Sequence, residues 1–155
     1  MSGTWIPRPA LDLVRKWEGL YRVGTDGLVY PYLCPAGVWT IGWGTTKGIT
    51  KDTKPWTKAE CDLRMVQDLA RFTLDVYRLC PAILDASDNR IGASVSWTYN
   101  LGPGNLAAST FRKRINTQDW KAAGIECRKW NMAGGIVLAG LVARRELEAT
   151  YIERG

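Results

Sequence analysis

The chain has 155 residues, 46% of them hydrophobic and 23% charged, which fits a single domain with a full core and excludes disorder and collagen-like repeats. No run approaches the ~20 apolar residues of a membrane span, and residues 1–9 lack the charged-then-apolar order of a signal peptide, so we expect a cytoplasmic product. A net charge of +6 suits a polyanion such as nucleic acid, an acidic membrane or an anionic cell wall, although the basic residues are scattered as on any solvated surface.

In chain order, the first element is a helix over residues 9–18. Pro9 suits an early helical position, Leu11, Val14 and Trp17 recur at helical spacing, and Gly19 follows where a terminating left-handed residue belongs. Residues 20–50 change character. Glycines at 24, 27, 37, 42, 44 and 48 punctuate short Val-, Tyr-, Trp- and Thr-rich runs, which predicts a small antiparallel sheet with turns at Thr25-Asp26-Gly27 and Pro35-Ala36-Gly37. A long helix then opens at Thr57, with Glu60 completing a capping box, and runs to about residue 80. Its apolar stripe is Cys61, Met65, Leu69, Phe72, Val76 and Leu79, and Pro81 ends it.

Residues 82–155 read as wholly helical. We expect helices over 88–101, stopped by Gly102-Pro103, over 109–115, from a Thr117 cap to about 130, and over 137–153 with Leu138, Leu141, Val142 and Ile152 inward. The fold class is therefore α+β: a small sheet-bearing lobe, a connecting helix and a larger all-helical lobe, with a groove between the lobes.

Two counts restrict the chemistry. The chain has no histidine, which removes Ser-His-Asp and Cys-His catalysis and any imidazole zinc site. Its eight tryptophans offer flat faces that suit cores and also stack on sugars or bases. Cysteines at 34, 61, 80 and 127 form no C-x-x-C pair, so four free thiols are expected, with no metal and no cofactor.

Glu18 is the first candidate for catalysis. The C-terminal end of a helix carries partial negative charge, and Trp17 and Leu20 flank the position; both influences favour the protonated carboxyl that a general acid requires. A Glu fraying into solvent would look the same in isolation. The context decides: Trp17-Glu18-Gly19-Leu20, then Tyr32-Leu33-Cys34-Pro35-Ala36-Gly37-Val38-Trp39-Thr40-Ile41-Gly42-Trp43-Gly44. With Asn100-Leu101-Gly102-Pro103-Gly104, Ser109-Thr110-Phe111-Arg112, Trp130-Asn131 and Gly140-Leu141-Val142-Ala143-Arg144-Arg145-Glu146, this series resembles the phage-type lysozymes, a glycoside hydrolase family, over nearly the whole chain.

The resemblance implies an endolysin that hydrolyses the β-1,4 bond between N-acetylmuramic acid and N-acetylglucosamine in bacterial peptidoglycan, by inversion. A separate pore-forming protein would release it to the wall, and it would act as a monomer without nucleic acid or stable membrane association. Glu18 falls on the general acid, Cys34 on the position usually held by an Asp that positions a water, and Thr40 on the hydroxyl that helps hold it. In an inverting site the two groups stand roughly 6.5–9.5 Å apart to admit that water.

Three departures bear on this. A thiol, with an ordinary pKa of about 8.5, is a poor base at neutral pH but can orient a water as an acceptor; an inert packed Cys34 is the bland reading. The loop before Cys34 is longer than the family norm and carries Asp26, a reserve candidate for the second carboxylate, though a turn-capping Asp is the commoner explanation. Thr45 stands where the family often has His. The resemblance also sets Tyr32, Trp43, Thr46, Tyr99, Asn100, Thr110 and Arg144 against substrate, with either Arg144 or Arg145 meeting a carboxylate internally and the other facing the groove. The alternatives are a lytic transglycosylase using Glu18 alone and a non-catalytic basic module binding wall glycan or nucleic acid.

Overall fold

A computed structural model describes residues 5–155; residues 1–4, part of the stretch read for a signal peptide, lie outside it. The described residues divide by their internal contacts into two units: residues 14–68, and residues 5–13 with 69–155. The boundaries fall inside two helices, α1 (Arg8–Glu18) and α2 (Lys58–Leu79).

In the 14–68 unit, β1 (Tyr32–Leu33) pairs antiparallel with β2 (Trp39–Thr40), in the register Tyr32 opposite Thr40 and Leu33 opposite Trp39. The remaining pairing consists of single bridges, Val23 with Val29, Val29 with Trp56, and Ile41 with Thr45. The predicted sheet is present but minimal, because the glycines turn the chain before any ladder lengthens. Side chains supply what the ladder does not. Val29, Ile41 and Cys61 form a buried cluster, covered by Leu20, Trp43, Ile49 and Trp56. The start of α2 is fixed by the expected capping box: the Glu60 N–H donates to Thr57 Oγ1 at 3.1 Å, and the Thr57 N–H donates to Glu60 Oε2 at 2.7 Å.

The other unit is built on α3 (Asp88–Leu101), which is buried without interruption from Ile91 to Tyr99. Ser87 caps it, and a Cβ on Gly92 would lie 2.8 Å from the backbone nitrogen of Ala10, so the start of α1 approaches it closely. Trp97 packs against Phe111 and Trp130 with ring centroids 5.0 and 5.2 Å away. A 3₁₀ turn over Pro81–Asp85 follows α2 where Pro81 ends it.

The helical expectations need four amendments. Gly102-Pro103 stops α3 but also starts α4 (Pro103–Ala108), since proline at a first helical position loses no needed N–H. α5 spans Thr110–Asn116, and Thr117 ends it; the cap of α6 (Trp120–Arg128) is Asp119, whose carboxylate accepts from the Ala122 N–H at 3.1 Å. The lobe is not all helical: β3 (Met132–Ala133) and β4 (Ile136–Val137) form a hairpin whose turn, Gly134-Gly135, has both φ positive, at 58° and 77°. Finally, α7 (Ala139–Arg154) buries Arg144, Arg145, Glu148, Ala149 and Ile152, whereas Leu138 and Val142 face outward.

Candidate active site

Glu18 is the last residue of α1 and is partly buried. The helix stops there because Gly19 takes φ +63°, a conformation that costs other residues about 1 kcal/mol or more. The chain then bends so that the Tyr21 ring lies beside Gly19; a Cβ on that glycine would be 3.5 Å from the ring. Tyr21 in turn packs on Tyr32, with centroids 5.6 Å apart and planes inclined at 58°.

Tyr32 begins the hairpin, and strand alternation sends Tyr32 and Cys34 to one face and Leu33, which is exposed, to the other. The turn is closed at Cys34: its N–H donates to the Val38 carbonyl at 3.0 Å, and its carbonyl accepts from the Gly37 N–H at 2.8 Å. Thr40, opposite Tyr32 in the register, is buried and donates its hydroxyl to the Val38 carbonyl at 3.0 Å. Burial, followed by the neighbouring charges of Glu18, Tyr21 and Cys34, pushes the Tyr32 phenol up to about 12. Tyr32 therefore lies within electrostatic reach of Glu18, Tyr21 and Cys34, with Thr40 across the ladder from it.

Asp26 is placed differently. One carboxylate oxygen accepts from the Tyr30 hydroxyl at 2.6 Å and the other from the Leu28 N–H at 3.0 Å, and the Tyr30 bond foremost holds its carboxyl below the ordinary range. This is a capped turn on an exposed loop. Trp43 belongs to the apolar cluster and donates its indole N–H to Asp62 at 2.8 Å. Thr46 is exposed on the loop that follows.

A contact that sequence reasoning missed supports this region from α2. Thr45 donates its hydroxyl to Asp68, which is 7% exposed, at 2.8 Å. Thr45 thus ties the end of the Thr-Ile-Gly segment to α2 through a hydroxyl-to-carboxylate hydrogen bond. The signal was available in part, since Asp68 lies beside Leu69 on the apolar stripe of α2.

The remaining expected residues lie in the helical unit. Tyr99 is buried against Phe72, with ring centroids 5.3 Å apart. Thr110 is exposed at the start of α5. Neither arginine of the 144–145 pair is outward: Arg144 and Arg145 both meet Glu148, at 3.1 and 2.9 Å, and all three are buried. Arg144 also donates to the Ser96 carbonyl at 3.1 Å, Ser96 donates to Glu148 at 2.7 Å, and Arg145 donates to the side-chain oxygen of Asn100. The expectation that one guanidinium faces a groove gives way to a buried cluster with two arginines sharing one carboxylate.

The family model described as phage lysozyme matches residues 16–148. The chain is 39% identical to the SAR-endolysin of Enterobacteria phage P21 over 127 residues, covering 81% of this chain and 75% of that one. Among solved structures, the muramidase domain of SpmX from Asticaccaulis excentricus superposes with a TM-score of 0.79 at 25% identity, covering 96% of this chain and 97% of the other. The endolysin of Escherichia coli O157:H7 phage FAHEc1 gives 0.75 at 28% identity, covering 96% and 92%. The chain belongs to the phage lysozyme family and is a peptidoglycan-hydrolysing enzyme of the endolysin type.

Proposed function

We propose that the enzyme is a muramidase that cleaves the β-1,4 bond between N-acetylmuramic acid and N-acetylglucosamine with inversion. Glu18 donates its proton to the glycosidic oxygen as the bond to the leaving sugar breaks. A water attacks the anomeric carbon from the opposite face, positioned by the Cys34 sulfur and the Thr40 hydroxyl oxygen, and releases a proton to solvent as the new C–O bond forms, while the Glu18 carboxylate is reprotonated from solvent. The observation that carries this reading is geometric: Glu18 ends α1 in the same unit as the hairpin in which Thr40 stands opposite Tyr32 and Cys34 closes the turn. Thr40 gives its proton to the Val38 carbonyl, which turns its lone pairs toward the role of acceptor. Both oxygens of Asp26 are engaged within its turn, which supports Cys34 over it as the water's partner. Tyr32 and Thr46 are proposed substrate contacts; the internal bonds and packing of Trp43, Tyr99 and Arg144 support structural roles for them instead.

Product analysis on purified peptidoglycan tests this, with parent and Glu18→Gln protein compared. The parent should release reducing muramic ends of inverted anomeric configuration, and Glu18→Gln should lower the rate at least ~10²-fold. Lysis by the variant at near-parental speed overturns the assignment of the acid. Anhydromuramic ends, lighter by one water, would replace the hydrolase by a transglycosylase, and binding without cleavage would leave a wall-binding module. Release to the wall by a separate pore-forming protein is proposed as well: expression alone should then leave cells intact until the membrane is permeabilised, and spontaneous lysis would overturn it.

A further inference from the structure

Tyr21 has no part in the reaction as written above. It lies in the lengthened stretch between Glu18 and Cys34, three residues beyond the acid, and 53% of it is exposed. An aromatic ring on a polar loop is free to tumble unless something holds it. Here the ring rests beside Gly19 on one side and packs on Tyr32 at 5.6 Å on the other. Tyr32 is itself fixed by the ladder opposite Thr40. The ring is thus braced, oriented and open to solvent, against a Tyr32 that lies within electrostatic reach of Glu18 and Cys34.

Those properties define a carbohydrate platform. A pyranose presents a face of C–H bonds that pairs with a flat aromatic surface, and a pre-oriented ring loses little rotamer freedom on binding. We propose that Tyr21 is a substrate-positioning residue, its ring stacking on an N-acetylated sugar next to the bond that Glu18 protonates, with Tyr32 as its brace. The shared influence of Glu18 and Tyr21 on the Tyr32 phenol agrees with this closeness. The assignment rests on the muramidase reading.

The test separates stacking from mere cover of Gly19. Tyr21→Ala removes the ring, Tyr21→Leu keeps apolar bulk against Gly19 without a flat face, and Tyr21→Phe keeps the face without the hydroxyl. Each is assayed for KM and kcat on peptide-free glycan strands. Each is also combined with Glu18→Gln for calorimetric binding of a soluble N-acetylglucosamine–N-acetylmuramic acid oligosaccharide. Tyr21→Ala and Tyr21→Leu should raise KM and weaken binding at least about tenfold with kcat changed less than about twofold, and Tyr21→Phe should restore both to within about threefold. Parental KM and binding in Tyr21→Leu would overturn the proposal, as would failure of Tyr21→Phe to rescue. The binding arm needs no turnover, so a failed acid assignment shows as activity in Glu18→Gln, whereas a failed platform shows as unchanged affinity.

Discussion

Cys61, Cys80 and Cys127 are each 1% exposed or less, and burial pushes the first two thiols up to about 11 and about 12. Cys34 is only partly buried, at the mouth of the β1–β2 turn. A thiol reagent at pH 8 should therefore label one sulfur quickly and three only after unfolding, as peptide mapping will show. If that one sulfur holds the attacking water, labelling Cys34 stops wall lysis, while Cys34→Asp retains it to within about tenfold. Full-speed lysis after verified labelling would remove the sulfur from the reaction. At this scale the proposed site was legible through the resemblance, whose motifs run along short stretches of chain and pick out Glu18, Cys34 and Thr40. The contacts of Tyr21 and Asp68 were not, because they depend on partners brought close by turns: Tyr32 across the lengthened loop, and Thr45 at a separation of 23 residues.

Among the elements, α7 shows where patterning fails. Its helical period is plain in the sequence, but the expected inward set held only in part: Ile152 is buried, whereas Leu138 and Val142 are more than 40% exposed and Arg144, Arg145 and Glu148 are buried instead. Burial of charge is unfavourable unless it is paired, so no pattern of hydrophobic residues announces it. Helix termini behaved more predictably: Thr57 with Glu60 caps α2, and Gly102 ends α3, because these depend on local geometry. The strands shrank to two residues each for the converse reason, as a ladder needs length that the glycines deny. The buried cluster makes a prediction of its own. Glu148→Ala leaves two enclosed guanidinium groups without their carboxylate and should cost about 3–5 kcal/mol in denaturant unfolding. A loss under about 1 kcal/mol would mean that water or Asn100 compensates both arginines.

Across the whole molecule, the buried thiols are distributed over both units, with Cys61 in the 14–68 unit and Cys80 and Cys127 in the other. Each has its pKa raised, chiefly by burial, to about 11 for Cys61 and about 12 for Cys80, with Cys127 raised as well, while unfolded thiols titrate near 8.5–9. Below pH 8 the thiols are protonated folded and unfolded alike, and stability does not depend on them. Between about pH 9 and 11 the unfolded chain releases thiol protons that the folded chain keeps, so stability falls as pH rises, by up to about 1.4 kcal/mol per pH unit for each sulfur. The midpoint of urea unfolding, followed by tryptophan fluorescence from pH 7 to 11, should be level to about pH 8 and then decline. In the double variant Cys61→Ala, Cys80→Ala, that decline should be shallower by up to about 2.8 kcal/mol per pH unit, two sulfurs at the same slope. The small loss of core packing would lower the whole curve without tilting it, which separates cavity from titration. An unchanged slope would assign the alkaline loss to Tyr32 or Cys127, and would mean that Cys61 and Cys80 ionise without opening either core.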